Sequence, residues 1–191
     1  MNILLVALLF SQIQQTAPVL DNEFVQVFRD SAPCAAGSPA CGDRIFVALG
    51  PIELGGKKME RGEIKVFTAG ERYSPPGSGE YLEVAIKPGH PKPGTPPAGS
   101  PAAAKNRVLY AGNSFTVFEE NMQPGETSVP HSHNQRVAIF LNGTQVQQTS
   151  EGKTAILDER PDQVFLRPAV VHTSKDVGSV PIRNILIEFK P

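Results

Sequence analysis

The stretch PGETSVPHSHNQRVAIFLNG, from Pro124 to Gly143, carries the strongest signal for both the fold and the chemistry of this chain. Its two histidines, His131 and His133, are separated by one residue. Because side chains at positions i and i+2 of a strand face the same side, both imidazoles are predicted to point into a barrel. The apolar run after them predicts the next strand, and Asn142-Gly143 predicts a hairpin turn, since both residues accept a positive φ.

A third histidine, His172, follows the turn residue Pro168 and another short apolar segment. An imidazole from a separate strand would complete a set of three nitrogen ligands on one face, with positions left open for water, substrate or dioxygen. We therefore predict one divalent metal ion on these histidines, and iron, manganese, nickel, copper and zinc all accept such ligands. The alternative is that the His131-Ser-His133 triplet decorates a polar surface turn.

These residues resemble the two motifs of the cupin superfamily. In the first motif a glycine precedes a His-x-His pair, and a glutamate and a second glycine follow. Gly125, His131, His133 and Gly143 match the first motif in that order. The second motif is Pro-x-Gly followed by a histidine, which His172 matches, and the resemblance covers most of residues 108–191. It implies a small β-barrel or jelly roll that holds one divalent metal ion on the three histidines.

The motifs also depart from the cupin pattern. Counted back from the closing glycine, Arg136 stands where the family has its glutamate ligand, and Val170 replaces the glycine of the second motif. Asn134 or Gln135 could supply an oxygen donor instead. Some cupins, such as the thiol dioxygenases, work with three histidines and no carboxylate. A divalent ion on three neutral ligands keeps its full charge, which favours an anionic ligand.

Arg136 has two interpretations, which depend on the register of its strand. If its side chain faces inward, the guanidinium can pair with a substrate carboxylate in a bidentate manner, and Arg136 is then the candidate catalytic residue. If it faces outward, it is a solvated surface charge. No separate general base is evident, because an exposed strand end explains Glu119 and Glu120 equally well.

The chain contains two copies of one pattern of strand-like segments. Four segments recur in the same order, and their shared order argues for a repeat more strongly than any single match. The pairs are VLDNEFVQVF (19–28) with VLYAGNSFTVF (108–118), RIFVALG (44–50) with RVAIFLNG (136–143), ERGEIKVF (60–67) with ERPDQVF (159–165), and YLEVAIKP (81–88) with ILIEFKP (185–191).

The first copy has lost the histidines. Its counterpart of the His-x-His segment contains Cys34 and Cys41, which are expected to form a disulfide, with free thiols as the alternative. Its counterpart of His172 falls near Tyr73, and Glu71 and Tyr73 lie either at a ligand cavity or, as we favour, at a barrel edge. This copy is expected to pack on the second copy, cover its sheet edges and bury its apolar faces.

The domain organisation follows from the repeat. Residues 18–88 form a degenerate cupin-like half, residues 89–105 a linker rich in Pro, Gly and Ala, and residues 106–191 the metal-binding half. His90, in the linker, is expected to be solvated.

Composition agrees with an all-β chain. Hydrophobic residues make up 40% of the 191 residues, and 18 prolines and 17 glycines interrupt the sequence. The predicted fold class is therefore all-β, with two tandem cupin-like β-barrel or jelly-roll halves. The net charge is −1, and the lysines and arginines form no basic stripe, which excludes a nucleic-acid partner.

The N-terminus begins with an unbroken apolar run, Ile3 to Phe10. The run has the length of the apolar region of a signal peptide and is too short to span a membrane. We therefore predict a signal peptide over residues 1–17 and a periplasmic or secreted protein. No Lys or Arg precedes the run, and the alternative is an apolar strand or helix that packs on the barrel.

Three hypotheses for function remain at this point. The first is a metal-dependent oxidoreductase, dioxygenase-like, that acts on a small, anionic molecule. The second is a non-catalytic exported protein that binds a small molecule or a metal ion. The third is a structural β protein with a vestigial site. The predicted partners are a small-molecule ligand and, as one option, a second copy of the chain in a homodimer.

Overall fold

The computed structural model describes residues 17–37, 41–94 and 106–191. All regular structure in these ranges is β, in sixteen strands, so the predicted all-β class is confirmed. The predicted signal peptide, apart from Ala17, lies outside the described residues, as do residues 95–105 of the predicted linker. In the part of the chain that is described, no helix is long and apolar enough to cross a membrane.

The first half of the chain forms one five-stranded antiparallel sheet in the order β1-β2-β7-β3-β6. A separate two-stranded sheet joins β4 and β5. The strands are β1 (Leu20–Asp21), β2 (Val25–Arg29), β3 (Arg44–Ala48), β4 (Ile52–Leu54), β5 (Lys57–Met59), β6 (Ile64–Phe67) and β7 (Tyr81–Ile86).

The second half forms two antiparallel sheets that enclose a common interior. One has five strands in the order β14-β11-β16-β9-β8, and the other has four in the order β10-β15-β12-β13. The strands are β8 (Arg107–Ala111), β9 (Phe115–Met122), β10 (His131–His133), β11 (Arg136–Phe140), β12 (Thr144–Ser150), β13 (Lys153–Glu159), β14 (Val164–Arg167), β15 (Val170–Asp176) and β16 (Ile182–Phe189).

The two five-stranded sheets have the same internal order, which is what the sequence repeat predicts. Strands β1, β2, β7, β3 and β6 correspond in turn to β8, β9, β16, β11 and β14. Each of the four repeated sequence segments therefore occupies the same place in its own sheet.

The main core lies between these two sheets. Alternate residues of each sheet point toward the other, for example Val47 and Val84 from the first half and Ile139 and Ile187 from the second, and all four are fully buried. The apolar faces of the two halves are thus buried against each other, as the sequence predicts. Among the described residues, however, no strand of one half pairs with a sheet edge of the other. On β11 the intervening residues Arg136, Ala138 and Phe140 face the barrel interior, so the whole strand is buried.

Asn142-Gly143 does not form the predicted hairpin. The strands on either side, β11 and β12, belong to different sheets, and neither residue has a positive φ. Asn142 Nδ2 donates a hydrogen bond to the Pro181 carbonyl at 3.0 Å. A Cβ atom at Gly143 would lie 2.8 Å from the ring of Pro161, so the glycine permits a close approach of two chain segments.

Candidate metal centre

Two neighbouring strands bring the three histidines together. In the antiparallel pair β10–β15, His131 lies directly opposite His172, and His133 lies opposite Val170. His131 and His133 share one face of β10, as their spacing predicts. All three side chains are at most 4% exposed, so they are buried and not on a surface turn.

The geometry of the three imidazoles fits one metal ion. The Nε2 atoms of His131 and His133 are 3.1 Å apart, and those of His131 and His172 are 3.2 Å apart. Bonds of roughly 2.1 Å at angles between octahedral and tetrahedral place ligand nitrogens roughly 3.0–3.4 Å apart. Among the described residues, this is the one cluster of three or more His, Cys, Asp or Glu side chains whose ligand atoms converge within 4.8 Å.

A hydrogen bond determines which ring nitrogen of His131 carries the lone pair. Its Nδ1 lies 2.9 Å from the Val129 carbonyl, which can only accept, so Nδ1 carries the proton and Nε2 a lone pair. That single lone pair faces the Nε2 atoms of both His133 and His172 and can accept a proton from only one of them. A metal ion would satisfy all three nitrogens at once, and the residues present therefore fit the group that the fold implies.

The electrostatics keep His133 and His172 neutral. Burial, together with the charges of Arg136 and His131, lowers the pKa of His133 to about 2. Burial, together with His133, His131 and Arg136, lowers the pKa of His172 to about 3. Because a neutral imidazole is the form that binds a metal ion, these two side chains can act as metal ligands at neutral pH.

Arg136 faces inward, which decides between its two interpretations. The side chain is 6% exposed, and Nη1 donates a hydrogen bond to the Pro168 carbonyl at 3.0 Å. Its Nε atom has no hydrogen-bond partner in the described part of the chain. Burial lowers the pKa of Arg136 to about 10, which leaves the guanidinium charged at neutral pH.

The open side of the histidine cluster faces a small polar cavity. Its volume is about 20 Å³, which is enough for about one water molecule. Neither Asn134 nor Gln135, the two possible oxygen donors, is among the residues that line this cavity. The lining residues are Glu120, His133, Arg136, Ala138, Phe140, Gln148, Glu159, Arg167, His172, Asn184 and Leu186.

A larger depression, of about 650 Å³, opens at the other end of β12, around Gly143, Thr144 and Gly178. It contains none of the three histidines, and we place the candidate site by its chemistry and not by its size.

Three acidic residues that the sequence did not single out as part of the site lie close to the histidines. Glu120 and Glu159 line the cavity, and the Glu188 carboxylate lies 3.5 Å from Nδ1 of His133. Alternation along β9 could have found Glu120, because Phe118 and Met122 on the same face are both buried. No local pattern identifies the other two, since they come from strands distant in sequence.

Glu119, the neighbour of Glu120, faces the opposite side of the sheet and forms ion pairs with two arginines. It accepts hydrogen bonds from Arg107 Nε at 3.1 Å and from Arg183 Nε at 2.7 Å. Burial alone would raise the pKa of Glu119, but the bonds from Arg107 and Arg183 outweigh it and hold the pKa below its usual range.

The corresponding face of the first half holds no histidine. Tyr73, the predicted counterpart of His172, donates a hydrogen bond from its hydroxyl to Glu83, and the guanidinium of Arg44 lies over its ring. Burial raises the pKa values of both Tyr73 and Glu83. The Glu71 carboxylate instead accepts hydrogen bonds from the backbone N–H and the hydroxyl of Thr68, and Glu71 is exposed.

Cys34 and Cys41 form the expected disulfide, with their Cα atoms 5.9 Å apart. The bridge closes the loop that occupies the place of the His-x-His segment. His90 is not simply solvated, because its ring packs against Phe24 and Phe189 with centroid distances of 5.6 and 5.4 Å.

Fold and site together define an all-β protein of two similar units, with buried histidines in one of them. No family model matches the sequence, and no curated protein matches it. A Cupin 2 conserved barrel domain protein from Leptotrichia buccalis is similar over 91% of this chain and 87% of its own, at 16% identity and a TM-score of 0.52. A cupin domain from Bordetella pertussis is similar over 51% of this chain and 99% of its own, at 17% identity and a TM-score of 0.42. The likeness to the Leptotrichia buccalis structure shows that the chain has a cupin-like fold, as the motifs predict.

Proposed function

We propose that this protein binds one divalent metal ion on His131, His133 and His172 and uses the open side of that ion to bind or convert a small molecule. The observation that carries the proposal is the convergence of three buried Nε2 atoms. Those of His133 and His172 both face the lone pair on Nε2 of His131, which can satisfy only one of them. The metal would be iron, manganese, nickel, copper or zinc, since all of them accept imidazole ligands.

The charges around the cavity favour an anionic ligand. Three neutral imidazoles leave a divalent ion with its full charge, and the guanidinium groups of Arg136 and Arg167 border the same cavity. Arg136 can donate from its unpartnered Nε to a carboxylate or a smaller anion at the metal. This is the role we assign to Arg136 as the candidate catalytic residue.

The reaction class that we favour is a dioxygenase-like oxidation. A redox-active ion with open coordination positions can bind dioxygen and substrate together. The alternative is a non-catalytic binding protein, which is favoured by the small volume of the cavity, about 20 Å³, beside the histidines.

Metal analysis of protein purified without an affinity tag tests the proposal directly. We expect about one equivalent of metal per chain, and a fall of at least about tenfold in His131→Ala and His172→Ala. His90→Ala is the matched control, because His90 packs on aromatic rings away from the cluster. Unchanged metal content in the two cluster variants would refute the site.

Oxygen consumption separates the enzyme from the binding protein. The metal-loaded protein would be supplied with small acids, thiols and phenolics, with the His131→Ala variant as the blank. Oxygen uptake that requires the histidines supports an oxidoreductase. Metal binding without uptake, but with saturable binding of a small acid by calorimetry, supports the alternative.

Export also remains a proposal, with the protein in the periplasm or secreted. The Cys34–Cys41 disulfide supports it, because such bonds persist in oxidising compartments. Mass spectrometry of the mature protein would show whether residues 1–17 are removed. A homodimer stays a prediction, which light scattering would test.

A further inference from the structure

The cavity beside the histidines has a second polar wall. Its residues come from three separate elements: Glu120 from β9, Glu159 from the end of β13 and Asn184 from β16. Asn184 Nδ2 donates to Glu120 Oε2 at 3.1 Å and to Glu159 Oε2 at 3.3 Å. One amide nitrogen thus holds two carboxyl groups together across the cavity from His133 and His172.

The hydrogen bonds of Asn184 determine how its amide is oriented. The reversed amide would set its oxygen against two carboxyl oxygens, so the nitrogen must face them. Asn184 is 2% exposed, and its Oδ1 has no partner in the described part of the chain. A buried acceptor without a donor is destabilising, and a water-sized donor in the cavity would satisfy it.

Burial and charge both act on the Glu159 carboxyl group. Glu159 is 7% exposed and faces Glu120 from β9, Arg167 from β14 and Asp176 from β15. Burial, with the negative charge of Glu120, raises the pKa of Glu159 to about 7, despite the hydrogen bond from Asn184. Arg136 borders the same cavity.

We propose that Glu120 and Glu159 are the acid–base pair of this cavity, with Glu120 as the proton acceptor, Glu159 as the proton donor and Asn184 as the residue that positions both. A hydroxyl in the cavity gives its proton to the Glu120 carboxylate, and the Glu159 carboxyl gives its proton to a product oxygen. Each transfer moves only a proton between oxygen atoms. The catalytic use of the pair rests on the function proposed above, whereas the proton on Glu159 requires no metal.

Infrared spectroscopy of the metal-free, full-length chain tests the pair. With ¹³C-labelled glutamate we expect a protonated carboxyl band that titrates near pH 7, in line with the pKa of about 7 for Glu159. The band is lost in Glu159→Gln and persists in Glu126→Gln, a control at an exposed glutamate. In Glu120→Gln its midpoint moves to lower pH, because the neighbouring negative charge is gone.

Asn184→Ala tests the positioning role. Loss of its hydrogen bond, which lowers the pKa of Glu159, moves the midpoint of the band to higher pH. A purely structural role for Asn184 would change stability and leave the midpoint in place. If Glu159→Gln does not fold, Glu159→Asp replaces it, and a carboxyl band with a shifted midpoint is then expected.

One result would overturn the pair: between about pH 5 and pH 9, the titration of the glutamate carboxyl bands is the same in the parent chain and in Glu159→Gln. Metal content, measured in the same variants, keeps this test separate from the metal proposal. Loss of metal in His131→Ala with the band intact would leave the pair standing, and loss of the band with metal still bound would refute the pair alone.

Discussion

The two halves of this molecule share one framework and differ in what covers it. Each has a five-stranded sheet with the same strand order, and the two sheets pack against each other through their apolar faces. In the second half, the four-stranded sheet β10-β15-β12-β13 covers the other face and encloses a polar interior with three histidines. In the first half, the residues around Ala32 and Cys34, the β4–β5 hairpin and Tyr73 cover that face.

The covering segments explain why one half has a site and the other does not. The first half fills its inner face with Phe46, Phe67, Tyr73 and Tyr81, whose rings lie 4.2–5.9 Å from one another in the contacting pairs. These rings occupy the space where the second half has its polar cavity. The framework strands therefore determine the fold, and the covering strands determine the chemistry.

The largest expected effect tests whether the halves are one cooperative unit. Ile187→Ala removes a fully buried side chain from the core that both sheets share. We expect a loss of about 2–5 kcal/mol in the free energy of unfolding, because the substitution leaves a cavity. Calorimetry should show a single transition at a lower temperature, with loss of both halves together.

Ile156→Ala is the control for this prediction, because Ile156 is 62% exposed and its truncation should cost less than about 0.5 kcal/mol. Two separate transitions in the Ile187→Ala variant would show instead that the halves unfold independently.

The next effect concerns the disulfide of the first half, between Cys34 and Cys41. Replacing both Cys34 and Cys41 by serine should lower the free energy of unfolding by about 2.5 kcal/mol, because the bridge restricts the unfolded chain. Denaturant titration measures this loss, and metal content should not change, since the bridge lies in the half without histidines. Loss of metal along with the disulfide would mean that the two halves are coupled through more than their shared core.

The framework could be predicted from the sequence because its signal is local and repeated. Apolar segments of strand length recur in the same order in both copies, and each found its place in a sheet. The prediction of a hairpin at Asn142-Gly143 was wrong, because a turn signal does not indicate whether the next strand joins the same sheet. The contact between the apolar faces was expected, but the residues that make it were not, because Val47 and Ile187 look alike in sequence whether they face a partner sheet or the barrel interior.

The site could be predicted only where it depends on neighbours in sequence. The spacing of His131 and His133 fixed their shared face, and the second motif supplied His172. Glu159 and Asn184 could not be found in this way, because their proximity depends on pairing between strands far apart in sequence.

Acid should affect the half with histidines in a way that the other half cannot reproduce. Burial first, and neighbouring charges second, lower the pKa of His133 to about 2 and of His172 to about 3. Below about pH 6.5 these two imidazoles bind protons in the unfolded chain but stay neutral in the folded state. The stability of the folded state is therefore fully present above that pH and is lost as the pH falls. We expect a loss of up to about 1.4 kcal/mol per pH unit for each histidine in metal-free protein.

The raised pKa of Glu159, which burial produces, acts in the opposite direction, since the folded state holds that proton between about pH 4.5 and pH 7. A comparison of the chain with its His133→Gln/His172→Gln variant isolates the histidines. Denaturant titrations at several pH values should show the acid-dependent loss in the parent and a smaller slope in the variant. Equal slopes would mean that these imidazoles are protonated in the folded state.

The smallest effect tests the polar contact that replaces the site in the first half. Tyr73→Phe keeps the ring stacked on Phe67 but removes the hydroxyl that donates to Glu83. Because the Glu83 side chain is fully buried, loss of this donor should cost about 1–2 kcal/mol and raise its pKa further. In the Glu83→Gln background the same substitution should cost less, since a neutral amide needs the donor less than a carboxylate does. An equal cost in both backgrounds would show that the Tyr73 hydroxyl does not stabilise the protein through the charge of Glu83.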